Sequence, residues 1–198
     1  MNWFDKETKK IAIKNKRKLP ISTIALSPNG QYLAYSLNEI GKIKLYLYDT
    51  QTGEQEVILK QGYRNPFQAT DYNYPIVAWK PSGTEFSIIY EYRDVIKFMT
   101  YDLNTKEKRS EDLDPQYDRI YSAEYYNIND LVFSGMVRGF SDLFIYHTLT
   151  RQTERITSDF YDDLDASVVN IRGQKGVLFS SNRKVAKIEK VKLDTILP

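Results

Sequence analysis

The sequence contains no cysteine in 198 residues. That excludes disulfides, cysteine-ligated zinc and thiol catalysis, while leaving the compartment open. Histidine occurs once, at His147. A histidine base needs a nucleophile and an orienting carboxylate, and no G-x-S-x-G elbow is present to supply the nucleophile. No glycine-rich phosphate loop or dinucleotide fingerprint occurs. No apolar run reaches the roughly 18 residues of a membrane-spanning helix, so no transmembrane segment is expected. The basic N-terminal stretch has no apolar core, so no secretion signal is expected in this chain. Helical periodicity of any length is missing, which argues against an α-solenoid.

What is present is β-prone. Aromatics make up 14% of the chain, with 16 tyrosines, and hydrophobic residues 41%. Tyr, Val, Ile, Phe and Thr fit a pleated, half-buried surface, and this apolar fraction rules out a disordered chain. The net charge of +2 is uneven. Residues 1–20 hold seven Lys/Arg against two acids, and residues 183–198 hold five against two, so the body between them is acidic. Basic ends can attract nucleic acid or anionic lipid, but solvated ends on an acidic body explain them more simply.

Leu45–Leu59, LYLYDTQTGEQEVIL, organises the rest: an alternating run, a polar turn, then a second apolar run. The turn reads aromatic, Asp, two variable residues, Thr: Tyr48, Asp49, Thr52. The pattern recurs at Phe4, Asp5, Thr8, at Tyr101, Asp102, Thr105, and at Tyr146, His147, Thr150 with His in the Asp slot. The threonines are 44, 53 and 45 residues apart, a near-constant period that marks a repeat architecture. Turn signals between β-prone runs divide the chain into a leading half-unit at 2–13, whole units at 21–59, 75–110 and 119–157, and a trailing half-unit at 166–183. The second strands align as Leu33-Ala34-Tyr35-Ser36, Phe86-Ser87-Ile88-Ile89, Leu131-Val132-Phe133-Ser134 and Val177-Leu178-Phe179-Ser180. These are apolar on both faces, as in small sheets stacked radially.

Ser27-Pro28-Asn29-Gly30, Tyr48-Asp49 with Thr52-Gly53, Arg155-Ile156-Thr157 and Phe179-Ser180-Ser181-Asn182-Arg183 together resemble the TolB-type β-propeller repeat, a relative of the WD-repeat blade. The family blade has a Ser-Pro-Asp-Gly turn, a strand leading to Tyr-Asp, a Thr-Gly turn and a closing strand ending near Thr. The chain departs from it with Lys80-Pro81 for Ser-Pro, without a proline turn in the third and fourth units, and without a WD dipeptide. The resemblance implies an all-β propeller of four-stranded antiparallel blades. Three would be complete, with half-blades at both ends forming an open arc, a fragment of a longer propeller protein, rather than a closed four-bladed ring.

Several residues are candidate sites. His147 in the Asp slot reads as part of an Asx-type turn capped by the Thr hydroxyl. Asp159, Asp162, Asp163 and Asp165 form an acidic cluster, but the spacing does not match a calcium loop, and carboxylates bonding backbone N–H groups account for it better. The insertion Gly62–Tyr74, with Tyr63, Arg64, Phe67 and Tyr72, is the strongest specificity candidate, since loops longer than their scaffold requires are often functional. Lys44 and Lys97 among many tyrosines could stack nucleobases, yet aromatics at fixed repeat register are explained by blade packing. No catalytic, cofactor-binding or metal-ligating residue is therefore assigned, the binding residues are left open, and neither a cofactor nor a nucleic-acid partner is expected.

The resemblance implies a non-enzymatic scaffold for protein–protein interaction. TolB-like proteins work in the periplasm or cell envelope with a peptidoglycan-associated lipoprotein and colicin-type ligands, but no residue here carries over a particular partner. One alternative is the propeller portion of a prolyl-oligopeptidase-like serine peptidase whose hydrolase domain is not in this chain. Another is a small-ligand site in a central channel. Open blade edges would favour self-association.

Overall fold

The computed structural model describes residues 2–3, 11–12, 19–39, 42–62 and 73–184, and those residues are all-β. Three four-stranded antiparallel sheets follow one another along the chain. The first is β3 (Ile21–Leu26), β4 (Tyr32–Glu39), β5 (Lys42–Asp49) and β6 (Gln55–Gly62). The second is β7 (Ile76–Trp79), β8 (Glu85–Tyr92), β9 (Val95–Asp102) and β10 (Lys108–Asp112). The third is β11 (Arg119–Tyr125), β12 (Asp130–Val137), β13 (Phe140–His147) and β14 (Gln152–Arg155). A two-stranded pair, β1 (Asn2–Trp3) with β2 (Ile11–Ala12), stands ahead of them, and a hairpin, β15 (Asp163–Ile171) with β16 (Gln174–Ser181), follows. The first strands of successive sheets lie against one another, which makes β3, β7, β11 and β15 the inner strands of an open arc of propeller blades. Among the described residues no sheet closes on itself.

The turns explain the repeat. In Asp49–Gly53 the Asp49 carboxylate accepts the Gln51 and Thr52 amides at 2.8 and 3.1 Å, and Thr52 Oγ1 accepts the Glu54 amide at 3.3 Å. Asp102 accepts the Asn104 and Thr105 amides, both at 2.8 Å, and Thr105 Oγ1 the Glu107 amide at 3.3 Å. Each turn ends on a left-handed residue: Gly53 at φ 75°, Lys106 at 59° and Arg151 at 60°. Glycine takes that conformation at little cost, whereas Lys106 and Arg151 do so at a steric penalty. What they gain is visible across the blade junctions. Lys106 Nζ reaches Glu56 Oε1 of the first blade at 2.8 Å, beside the Tyr101 hydroxyl at 3.0 Å. Arg151 Nε reaches Glu111 Oε2 of the second blade at 2.8 Å, and the Tyr146 hydroxyl donates to the same carboxylate.

The serine of each second strand has a related purpose. Inner strands β3, β11 and β15 each carry a register irregularity, and a serine lies beside each one. Ser36 Oγ accepts the Thr23 amide at 2.9 Å, Ser134 Oγ lies 2.8 Å from Ser122 Oγ, and Ser180 Oγ donates to the Leu164 carbonyl at 3.2 Å. These hydroxyls meet polar groups that the bulged ladder leaves behind. In the second blade Ser87 instead meets the Tyr125 hydroxyl of the third blade at 2.6 Å.

The core lies between blades. Ala34, Leu45, Leu47 and Ile58 pack on Val77, Trp79, Phe86 and Ile88 at the first junction. At the second, Ile89, Phe98 and Leu113 meet Tyr117, Tyr125, Phe133 and Phe144. Second strands β4, β8 and β12 are buried on both faces, as their sequences imply. β16 is not: Val177 and Phe179 pack on the third blade, but Leu178 is exposed. An apolar run alone does not tell whether a neighbouring sheet covers the second face. The fourth unit also begins earlier than its apolar pattern implies, because Asp163 pairs with Ser181 and extends the ladder.

Candidate functional site

Each blade has two ends. At one lie the turns between first and second strands and those between third and fourth strands, the latter locked at Asp49 and Asp102 by the Asx-type bonds described above. His147 stands there, with a difference from the expected turn. Its Nδ1 lies 2.7 Å from Asp130 Oδ1, while Asn127 Oδ1 accepts the Asn129 and Asp130 amides at 2.9 Å. The imidazole ties two turns together rather than capping its own. The backbone closure, Arg151 amide to His147 carbonyl at 2.8 Å, is kept.

At the opposite end run the connections from one blade to the next, and there the acidic cluster is found. Its carboxylates take backbone amides as expected: Asp159 accepts Tyr161 N at 3.0 Å and Asp162 accepts Ser141 N at 3.2 Å. The larger part of the arrangement is arginine. The Arg183 guanidinium donates to Asp163 Oδ1 and Oδ2 at 2.6 and 2.9 Å and to Asp159 from Nε at 3.1 Å. Arg155 pairs with the fully buried Asp142, whose other oxygen lies 3.3 Å from Thr157 Oγ1. Thr157 Oγ1 in turn accepts the Leu143 amide at 2.9 Å. The Arg155-Ile156-Thr157 and Asn182-Arg183 segments quoted for the family resemblance thus end close to one another: Arg155 and Thr157 bond Asp142 within the third blade, Arg183 ties Asp163 of the fourth hairpin to Asp159 of the connection, and Asp162 links Asn182 to the Ser141 amide of the third blade. Hydrogen bonds from Arg183 and from the Tyr161 amide hold the Asp159 carboxyl below its usual range, and hydrogen bonds to Asp163 and then Asp159 hold Arg183 high. Carboxylate oxygens of Asp142, Asp159 and Asp163 come within 4.8 Å of one another, a spacing a cation could bridge. The two guanidinium groups already supply the positive charge in that place. Asp165 stands apart, its carboxylate accepting the Ser180 hydroxyl at 2.9 Å.

Beside this network three aromatic side chains face solvent: Phe140 at the start of β13, and Phe160 and Tyr161 on the connection into β15. Phe160 is 86% exposed, and its ring meets that of Phe140 edge-on with centroids 5.9 Å apart. The Arg183 guanidinium lies 5.8 Å from the Tyr161 ring centroid. Arg138 occupies the preceding turn at φ 53°, its amide held by Asp118 at 2.9 Å. Clustered aromatics with arginine are the residue types that dominate binding hot spots. The sequence carries a signal for Phe160, an aromatic set between Asp159 and Asp162 in a polar connection, but none that brings Phe140 to it. Tyr63, Arg64, Phe67 and Tyr72 of the insertion lie outside the described residues. Lys97 is paired with Asp112 along the outer edge of the second blade.

No family model matches the chain, and no curated protein matches it. Solved structures do. TolB from Acinetobacter baumannii superposes with a TM-score of 0.60 at 17% identity, over 82% of this chain and 41% of that one. A TolB structure from Agrobacterium tumefaciens gives 0.60 at 19% identity, over 80% and 53%. The β-propeller domain of the Trilobed protease from Pyrococcus furiosus, described as having an open velcro topology, gives 0.53 at 13% identity, over 84% and 55%. The fold is therefore a TolB-like β-propeller repeat fold, and the chain spans about half the length of the TolB structures it matches. Propellers of peptidases share it, so the fold alone does not assign an activity.

Proposed function

We propose that the chain is a non-enzymatic propeller scaffold that binds a protein partner through the blade end bearing Phe140, Phe160 and Tyr161. The observation that carries this reading is the exposure of Phe160 on a segment otherwise anchored at every step. Asp159, Asp162 and Asp163 are each bonded, so the ring is held out in a fixed place. Burying such a side chain against a partner is worth about 1.5–3 kcal/mol. Pre-organisation by the arginine network lowers the cost of ordering it. The TolB likeness supports a setting in the cell envelope, and among the described residues no helix is long and apolar enough to cross a membrane.

The test is site-specific photo-crosslinking in cells, with the reactive residue at position 160 or at Leu149, which is exposed at the opposite blade end. A discrete protein adduct at 160 that is missing at 149 is the expected result. Equal labelling at both, or none at either, would sink the reading.

A second reading is favoured by the likeness to the protease propeller: the chain gates access to a peptidase domain. A hydrolase domain with a nucleophile elbow in the same polypeptide, and loss of its size selectivity when the blades are deleted, would establish that role instead.

A further inference from the structure

Among the described residues, two-residue turns close three hairpins: Arg93-Asp94 between β8 and β9, Arg138-Gly139 between β12 and β13, and Arg172-Gly173 between β15 and β16. Both central residues of each turn have positive φ: 53° and 61°, 53° and 85°, and 54° and 83°. Turns of this kind favour asparagine followed by glycine, because those residues tolerate the left-handed region. Arginine enters it at a steric penalty, yet arginine holds the first place in all three.

A cation held against its backbone preference calls for a contact that offsets the strain. Lys106 and Arg151, also left-handed, have theirs in the ion pairs to Glu56 and Glu111. Arg93 lies over the Tyr92 ring, 5.2 Å from its centroid. Among the described residues neither a carboxylate nor a ring meets the guanidinium of Arg138 or of Arg172. These two differ in their surroundings. Arg172 stands at the blade end of the Asx-type turns. Arg138 shares its turn with Phe140, whose ring meets that of Phe160. A carboxylate is at hand there, but it serves the backbone: Asp118 accepts the Arg138 amide at 2.9 Å, which braces the turn. The neighbouring Arg183 is committed to Asp159 and Asp163. Arg138 is thus the unpaired charge beside the exposed rings.

We propose, resting on the protein-partner reading above, that Arg138 selects the partner by charge: the partner presents a segment in which an Asp or Glu adjoins an apolar side chain. The carboxylate pairs with the Arg138 guanidinium, and the apolar side chain lies on Phe140 and Phe160. A guanidinium is weakly hydrated and matches a carboxylate with two parallel hydrogen bonds, so it suits the rim of an apolar patch. Nucleic acid and anionic bilayers fit the surface less well. Asp94, Asp118, Asp159, Asp162 and Asp163 share this blade end and repel an extended polyanion, whereas a single carboxylate needs only Arg138.

The experiment selects peptides from a phage-displayed random library on the immobilised 198-residue chain. The enriched peptides are then measured against Arg138→Asn, Arg172→Asn and Phe160→Ala. They are expected to carry Asp or Glu next to an aromatic or aliphatic residue. Arg138→Asn should weaken them at least about tenfold, as loss of a charged hydrogen-bonded pair does. Arg172→Asn, the same change at the opposite blade end, should leave them unchanged. Because asparagine suits the left-handed turn, Arg138→Asn should melt no lower than the wild type, which separates a binding role from a structural one. Basic or uncharged enriched peptides, no enrichment, an equal loss in Arg172→Asn, or a melting temperature that falls together with binding would overturn the proposal. So would Arg138-dependent binding to phosphatidylcholine vesicles containing phosphatidylglycerol. Enriched peptides that bind Phe160→Ala as well as the wild type would remove the underlying docking surface. Loss in Phe160→Ala with full binding to Arg138→Asn would remove this inference alone.

Discussion

The junction between the second and third blades and the junction between the third blade and the fourth hairpin are built from opposite materials. The former is apolar and aromatic. Phe133 stacks on Phe144 at 5.2 Å, and Tyr117 meets both rings edge-on. The latter has a thin apolar layer of Val132, Leu143, Ile145 and Ala166, closed by Arg155 and Arg183 on Asp142, Asp159 and Asp163. Apolar contact is non-directional and stabilises in proportion to area. An ion-pair network contributes little net stability but fixes geometry, and it responds to salt and acid. The exposed aromatics sit on the second kind of junction. A binding loop needs a defined position more than it needs bulk stability.

The contrast breaks most visibly in the core. Phe133→Ala should cost about 3–5 kcal/mol in urea unfolding, with no dependence on salt. Asp163→Asn removes the bidentate partner of Arg183 and should cost about 2 kcal/mol, less than a fully buried pair because the guanidinium is partly hydrated. Its effect should appear as faster amide exchange confined to β15 and β16, and it should shrink in high salt. A retained wild-type exchange pattern in Asp163→Asn would show that the network does not hold the hairpin.

Acid sharpens the same comparison. The Asp159 carboxyl is held below its unfolded value, so its contribution is present above the ordinary carboxylate range and is lost as pH falls through the lowered one. Asp49 and Asp102 are lowered in the same direction by the amides of their turns, so the turns weaken in that window too. Hydrogen exchange at pH 7 and pH 3 should show the fourth hairpin opening ahead of the second–third junction. The smallest effects belong to the turns. Asp49→Ala should cost about 0.5–1 kcal/mol in melting experiments. His147→Ala should cost about 0.5 kcal/mol or less, because its partner Asp130 keeps a hydrogen bond from Asn127 and access to water.

Much of this architecture is legible from the chain. Asp49 and Asp102 announce their turns because a short carboxylate bonds amides two and three residues ahead, an interaction that needs no tertiary partner. His147 shows where that logic stops, since its bond to Asp130 depends on how two turns lie side by side. The acidic cluster was visible as Asp159 through Asp165, but its arginine partners were not. Arg183 is 24 residues from Asp159 and reaches it only because β16 folds back along β15. The site is less legible still. Phe140 and Phe160 come together only through the connection between blades, and Leu178 reads like any buried second-strand residue.

By itself, then, the sequence determined the repeat, the strand alternation and the turn chemistry, all of which arise from interactions within a few residues. Only the tertiary structure decided which apolar faces are covered, which guanidinium meets which carboxylate, and which rings stand in solvent. Those outcomes depend on the placement of one blade against the next, and period and composition do not encode that placement.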